Sequence, residues 1–270
     1  MKQRVTTAGI IIAVALPILI YGGMPFVILG VFLVVIATQE MIKMRETVAQ
    51  TPIEVKIFTM IATLSVVFYS FDFATLSFTD NTLASLELMA LYLFVLLFFV
   101  VVRKSFTSLD AGYYLFTIVY IGLTFHALLF IRILGLDLFL FLILIVALTD
   151  TFAYLIGRKF GKRKLAPIIS PKKTVEGAVG GTLVGVLTGV IYGLAVNLSP
   201  NLLWIAFMSF IVAVLGQIGD LVASSLKREY KLKDYGNLFP GHGGVLDRLD
   251  SQLFAALALY LVLNLLNVVI

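Results

Sequence analysis

Long apolar runs separated by short polar connections make up most of the chain, and their lengths predict helices. The runs lie at roughly Thr6–Tyr21, a second ending near Met41, then near Val55–Phe71, Leu86–Val102, Tyr113–Leu134, Leu136–Gly157, Glu176–Val196, Leu202–Leu221 and Gln252–Val269. Most are close to the ~20 residues that an α-helix needs to cross a bilayer. None shows the ten-residue alternation of a barrel strand. The first run follows Lys2 and Arg4 in the manner of a signal peptide, but Gly22, Gly23 and Pro25 merely turn the chain into the second run without a convincing small-residue cleavage site. It is read as a retained span. The expected fold is an all-α integral membrane protein, a polytopic bundle of about nine transmembrane helices.

Composition agrees with this pattern. Hydrophobic residues make up 61% of the 270 residues, charged residues 13%, and the mean hydropathy is +1.07, far from the balance of a soluble domain. The absence of cysteine excludes disulfide and thiol chemistry. A net charge of +5 would be weak support for a nucleic-acid partner in a soluble protein, and none is expected here. The placement of the charges says more. With nine spans and the N-terminus in the cytoplasm, all twenty Lys and Arg except Arg132 fall on the cytoplasmic side, and the C-terminus lies outside. An error of one span would scramble that segregation.

The two halves differ in character. Residues 1–144 read as a scaffold of transmembrane helices with ordinary topogenic charges, whose apolar faces suit lipid or a second copy in a homodimer. Residues 145–270 read as the catalytic membrane domain, because there polar residues crowd the cytoplasmic helix ends and two inward loops. No internal repeat is visible.

Two carboxylates interrupt apolar runs. Asp150 lies in the sixth and Asp220 near the cytoplasmic end of the eighth, where an ionised group is costly without a partner. Each is either functional or paired with a nearby cation to lock two helices together. Asp247 and Asp250, three apart at the start of the last helix, share a face, although carboxylates also favour a helix's first turn for structural reasons. Carboxylates at a water-accessible edge among many cations are the hard oxygen ligands that Mg²⁺ takes when it works on phosphates. Asp220, Asp247, Asp150 and Asp250 are therefore the candidate metal ligands, and a second cation is left open.

Ser224–Asp250 is the longest strongly polar stretch, with five basic residues, four carboxylates, His242 and four glycines in 27 positions. Its Pro240-Gly241-His242-Gly243-Gly244 turn can bring backbone N–H groups to an anion just before a helix. His242 could act as a base, bind phosphate or only brace the loop. A second block, Arg158–Gly177, holds seven Lys and Arg, several of which need no reason beyond topology and anionic headgroups. Its Lys172, Lys173 and Thr174, just before a helix that Glu176 opens, form a pattern able to hold a triphosphate.

The stretch Ser224–Asp250 resembles the signature of the phosphatidate cytidylyltransferases, or CDP-diacylglycerol synthases, through Ser224, Leu226, Lys227, Arg228, Lys233, Asp234, Pro240, His242, Gly243, Gly244, Asp247, Arg248, Leu249 and Asp250. Upstream, Asp150 with Ala153, Tyr154 and Gly157, then Ser170, Pro171, Lys173, Thr174, Glu176 and Gly177, and finally Gly219 and Asp220, are similar to that family's other polar elements. The resemblance covers about Asp150–Asp250. One departure is Ala223, where many members carry an acidic residue, so no carboxylate is expected to act there.

The resemblance implies CTP:phosphatidate cytidylyltransferase activity, producing CDP-diacylglycerol and pyrophosphate for phospholipid synthesis, with Mg²⁺ as cofactor. It implies CTP, phosphatidic acid and membrane lipids as partners; a bacterial inner (plasma) membrane is the simplest location for so compact a chain, with an organellar membrane as the alternative, and the charge placement puts the site on the cytoplasmic face. Catalytic roles fall to Asp220, Asp247, Lys227, Arg228, His242, Arg248 and Asp250. Substrate-binding roles fall to Ser170, Lys172, Lys173, Thr174, Glu176, Lys233, Asp234, Gly243 and Gly244. Two other readings suit the same residues: a CTP-dependent polyprenol or phytol kinase, and an ion-coupled transporter using Asp150 and Asp220.

Overall fold

The computed structural model describes residues 2–80, 83–239, 241 and 243–265. Among them the order is α1 (Lys2–Tyr21), α2 (Gly23–Glu46), α3 (Ile53–Val67), β1 (Phe71–Asp72), β2 (Ser77–Phe78), α4 (Leu86–Val102), α5 (Ser108–Leu134), α6 (Leu136–Phe160), β3 (Lys164–Ala166), β4 (Ser170–Thr174), α7 (Val175–Ala195), α8 (Leu202–Glu229) and α9 (Leu246–Leu265). Each apolar run falls mainly on a helix, but the third, expected to reach Phe71, is helical only to Val67, and residues 266–269 of the last lie outside the described residues. The protein is all-α in character, and five of its described helices, α2, α5, α6, α7 and α8, are long and apolar enough to cross a membrane. The only strands among the described residues form two antiparallel pairs, β1 with β2 and β3 with β4.

The chain divides into two compact units, each discontinuous in sequence. The first comprises Met1–Ile133 and Tyr230–Arg248. Its core gathers Ile42, Val55, Val66, Tyr92, Leu96 and Tyr114, all buried. Helix α5 starts with a reciprocal cap: Asp110 accepts from the Thr107 N–H at 2.8 Å, and Thr107 Oγ1 from the Asp110 N–H at 3.3 Å. Arg45, in the last turn of α2, donates to Asp110 Oδ1 at 2.7 and 2.5 Å. Arg132 donates from Nε to the Leu19 carbonyl at 2.7 Å and from Nη2 to that of Ile20 at 3.0 Å. That gives Arg132, the one basic residue outside the expected charge segregation, a structural task, closing the last carbonyls of α1. His126 donates to the Val67 carbonyl at 3.0 Å, as suits a histidine that joins neighbouring helices.

The second unit comprises Leu134–Glu229 and Leu249–Ile270. Helix α7 is its axis, packed on α6 and α8. Gly177, Gly181, Gly185, Gly189 and Gly193 recur every fourth residue on the buried face of α7. A side chain at Gly185 would run into Thr149 of α6 and Ala213 of α8, so the missing Cβ atoms let three backbones approach closely. The opposite face carries Val179, Leu183, Leu187 and Ile191, all exposed, as lipid-facing positions are.

Candidate functional site

In the second unit, the β3–β4 hairpin carries the first of the candidate side chains. Pro167 lies in the turn between β3 and β4, which pair with Lys164 opposite Thr174 and Ala166 opposite Ser170. Thr174 then caps α7, its Oγ1 accepting from the Gly177 N–H at 3.2 Å. Glu176 reaches back to the hairpin, accepting from the Lys162 N–H at 2.9 Å and the Arg163 N–H at 3.1 Å. Thr174 and Glu176 thus fix the hairpin to the helix. Along β4, Pro171 and Lys172 are exposed while Lys173 is half-buried and Thr174 buried.

The buried ammonium of Lys173 pairs with Asp220 Oδ2 at 2.6 Å. The two side chains are 26% and 28% exposed, although the ammonium nitrogen itself is buried. On the other oxygen, Ser224 Oγ donates to Asp220 Oδ1 at 3.2 Å. Asp220, Ser224 and Lys227 follow at helical spacing on α8, with Lys227 buried and Arg228 exposed. Gly219 lies against the Asp250 carbonyl and Phe254, which brings α8 close to α9. Asp250 accepts from the Ser251 N–H at 2.8 Å and feels the charges of Asp220, Lys227 and Asp150. Asp150, half-buried on α6, meets the Ser251 hydroxyl and the fields of Asp220 and Lys173. Six residues singled out from the sequence, Asp150, Lys173, Asp220, Lys227, Thr174 and Asp250, therefore lie in one unit, and all but Thr174 act on one another electrostatically.

The rest of the signature lies in the first unit. Helix α8 ends at Glu229, and Lys231 adopts the left-handed conformation, φ 55°, that turns the chain away. The Tyr230 ring meets Tyr113 of α5 edge-on, with centroids 5.7 Å apart. Phe239 N–H donates to the Gly243 carbonyl at 2.9 Å, closing a tight turn in which Gly241 and Gly243 have φ of 77° and 82°. Such angles favour glycine. Asp247 Oδ2 accepts from the Tyr235 N–H at 2.7 Å and the Gly244 N–H at 2.9 Å. Lys233, Asp234 and Arg248 are exposed, and Ser170 in the second unit is half-buried. His242 and Pro240 lie outside the described residues.

Sequence reasoning missed Glu40. Its Oε1 accepts from the Val245 N–H at 2.8 Å and its Oε2 from the Leu246 N–H at 2.9 Å. The signal was a carboxylate inside the second apolar run, hidden by the topogenic Lys43 and Arg45 that follow it.

The family model described as "Cytidylyltransferase family" matches residues 2–266. A protein named phosphatidate cytidylyltransferase from Staphylococcus saprophyticus is 36% identical over 270 residues, spanning 100% of this chain and 99% of that protein. The protein of the same name from Bacillus subtilis is 35% identical over 271 residues, 98% of each chain. One from Staphylococcus aureus is 34% identical over 270 residues, with 100% and 99% covered.

Proposed function

From a chain that belongs to the cytidylyltransferase family, we propose the reaction CTP plus phosphatidate giving CDP-diacylglycerol and pyrophosphate. The observation that carries this reading is the full-length identity to bacterial relatives named for that activity. The Lys173–Asp220 centre suits the chemistry: both substrates are polyanions, and this centre sets an ammonium beside a carboxylate on partly exposed side chains.

A phosphatidate oxygen attacks the α-phosphorus of CTP in line, the bond from that phosphorus to the β-phosphate bridging oxygen breaks, and pyrophosphate leaves. A phosphomonoester dianion is already a competent nucleophile at neutral pH, so no strong general base is called for. Lys172, Lys173, Lys227 and Arg228 divide the charge of the triphosphate and the lipid phosphate. Asp220, paired with Lys173 and bonded by Ser224, is held in a fixed orientation. Ser170, Thr174 and Glu176 shape the hairpin that carries Lys172 and Lys173.

Among the described residues no three acidic or imidazole side chains form a ready-made metal cage. Mg²⁺ does not require one, since it is commonly held by one or two carboxylates together with substrate phosphates. The oxygen donors of Asp220, with Asp250 or Asp150, fit that habit and would hold the ion, which when bound would offset charge on the phosphates. Ligand or substrate roles for Asp247, Arg248, His242, Lys233, Asp234, Gly243 and Gly244 rest on the signature in the sequence and belong to the same proposal. So do nine membrane crossings with the N-terminus inside, a cytoplasm-facing site in the bacterial plasma membrane, a catalytic division near residue 144 and a homodimer through the N-terminal helices.

Purified protein supplied with CTP, phosphatidate and Mg²⁺ is expected to release pyrophosphate only when phosphatidate is present. Release of CDP in its place, with phosphate moved to an added prenol, would support the lipid-kinase alternative.

A further inference from the structure

Helix α9 begins without a side-chain cap of its own kind: Val245 stands where Ser, Thr, Asp or Asn would normally sit. The first N–H groups of a helix need acceptors, and they favour an anion. Here the anion is supplied by Glu40, 205 residues away from Val245 along the chain. Its two oxygens take the N–H groups of Val245 and Leu246, one each. The adjoining N–H of Gly244 goes to Asp247, which also holds Tyr235. Three successive amides at the end of the glycine turn are thus fixed by two carboxylates.

The fit around Glu40 is close. The residue is 4% exposed, and a buried carboxylate is costly unless its oxygens are hydrogen-bonded. A Cβ at Gly244 would fall on its carboxylate, and one at Gly236 would lie 2.8 Å from Oε1. Two glycines of the signature loop therefore leave the space that Glu40 fills. Met41, the next residue of α2, accepts at its carbonyl from Tyr113 at 2.7 Å, and Tyr113 is the ring that meets Tyr230 where the loop begins. One turn of α2, together with Tyr113, holds the loop at both ends.

We propose that Glu40 is a positioning residue for the cytidylyl-transfer reaction: it sets the 243–248 segment, and with it the backbone of Asp247 and Arg248, in the geometry that the reaction uses. The inference rests on the proposed function. It gives the N-terminal helices a part in catalysis beyond scaffolding.

The test compares wild type with Glu40→Gln and Glu40→Asp, each as the full chain purified in detergent, by hydrogen–deuterium exchange and by steady-state kinetics. Glutamine offers one acceptor where two N–H groups need one each. In Glu40→Gln, exchange in a peptide covering residues 243–248 is expected to speed up about tenfold. In the same variant kcat per folded molecule falls about 10- to 100-fold and KM for CTP rises, since small displacements of reacting groups cost that much. Glu40→Asp, which keeps the charge but withdraws it by one methylene, gives the same changes at smaller amplitude. If Glu40→Gln does not fold, Glu40→Asp decides on the same two readouts. Wild-type exchange at 243–248, or a lower yield of folded protein whose kcat and KM for CTP match wild type, overturns the assignment, as does loss of fold in both variants. An inactive wild type would instead sink the functional reading and leave the exchange result to judge Glu40.

Discussion

Asp150 and Asp220 were legible in the sequence because hydropathy makes a carboxylate inside an apolar run conspicuous. What hydropathy could not supply was the partner. Lys173 lies 47 positions before Asp220 and reaches it only through the β3–β4 hairpin, at 2.6 Å. Glu40 was illegible for a related reason: it stands three residues before Lys43, and charge at the end of an apolar run reads as topology. Asp247 illustrates a different limit, since its bonds to the Tyr235 and Gly244 amides depend on the path of a loop. At this scale the account predicts that Asp220→Asn, isosteric but uncharged, lowers kcat by at least ~100-fold, the order seen when one electrostatic contributor to a transition state is removed. The variant should still extract as folded protein, because Ser224 and Lys173 retain an oxygen to bond or contact. Near-normal turnover would remove Asp220 from the site.

At the scale of elements the helices were legible and their polar extensions were not. The apolar run that ends at Leu221 continues as helix to Glu229, and the run that begins at Gln252 is preceded by helix from Leu246. Hydropathy stops where lipid stops, whereas backbone hydrogen bonding continues into water. The β3–β4 pair has strands of three and five residues, too short for alternation to register. The glycine face of α7 is visible as a four-residue repeat once the helix is known. Gly185→Leu would overpack Thr149 and Ala213, at a cost of about 1–3 kcal/mol or more. Leu187→Ala, on the exposed face, should be close to neutral. Thermal unfolding in detergent separates the two, and equal midpoints would contradict the close packing of α6, α7 and α8.

For the whole molecule, the sequence showed a membrane protein with a polar C-terminal half but not its two discontinuous units. The signature from Ser224 to Asp250 looks like one motif, yet its middle, Tyr230–Arg248, packs with the N-terminal helices. The proposed crossing of nine spans is open to direct measurement because the chain contains no cysteine, so single cysteines can be introduced on a clean background. A membrane-impermeant maleimide added to intact cells should label cysteine at Ser199 and spare cysteine at Lys104; the reverse pattern would invert the topology. The most direct test of the central claim follows the α-phosphorus of CTP. With purified protein, Mg²⁺ and phosphatidate, label placed at that atom should appear in a lipid product in step with pyrophosphate release, and should not do so when phosphatidate is omitted. Label that remains in soluble CDP or CTP, with folded protein and both substrates present, would contradict cytidylyl transfer.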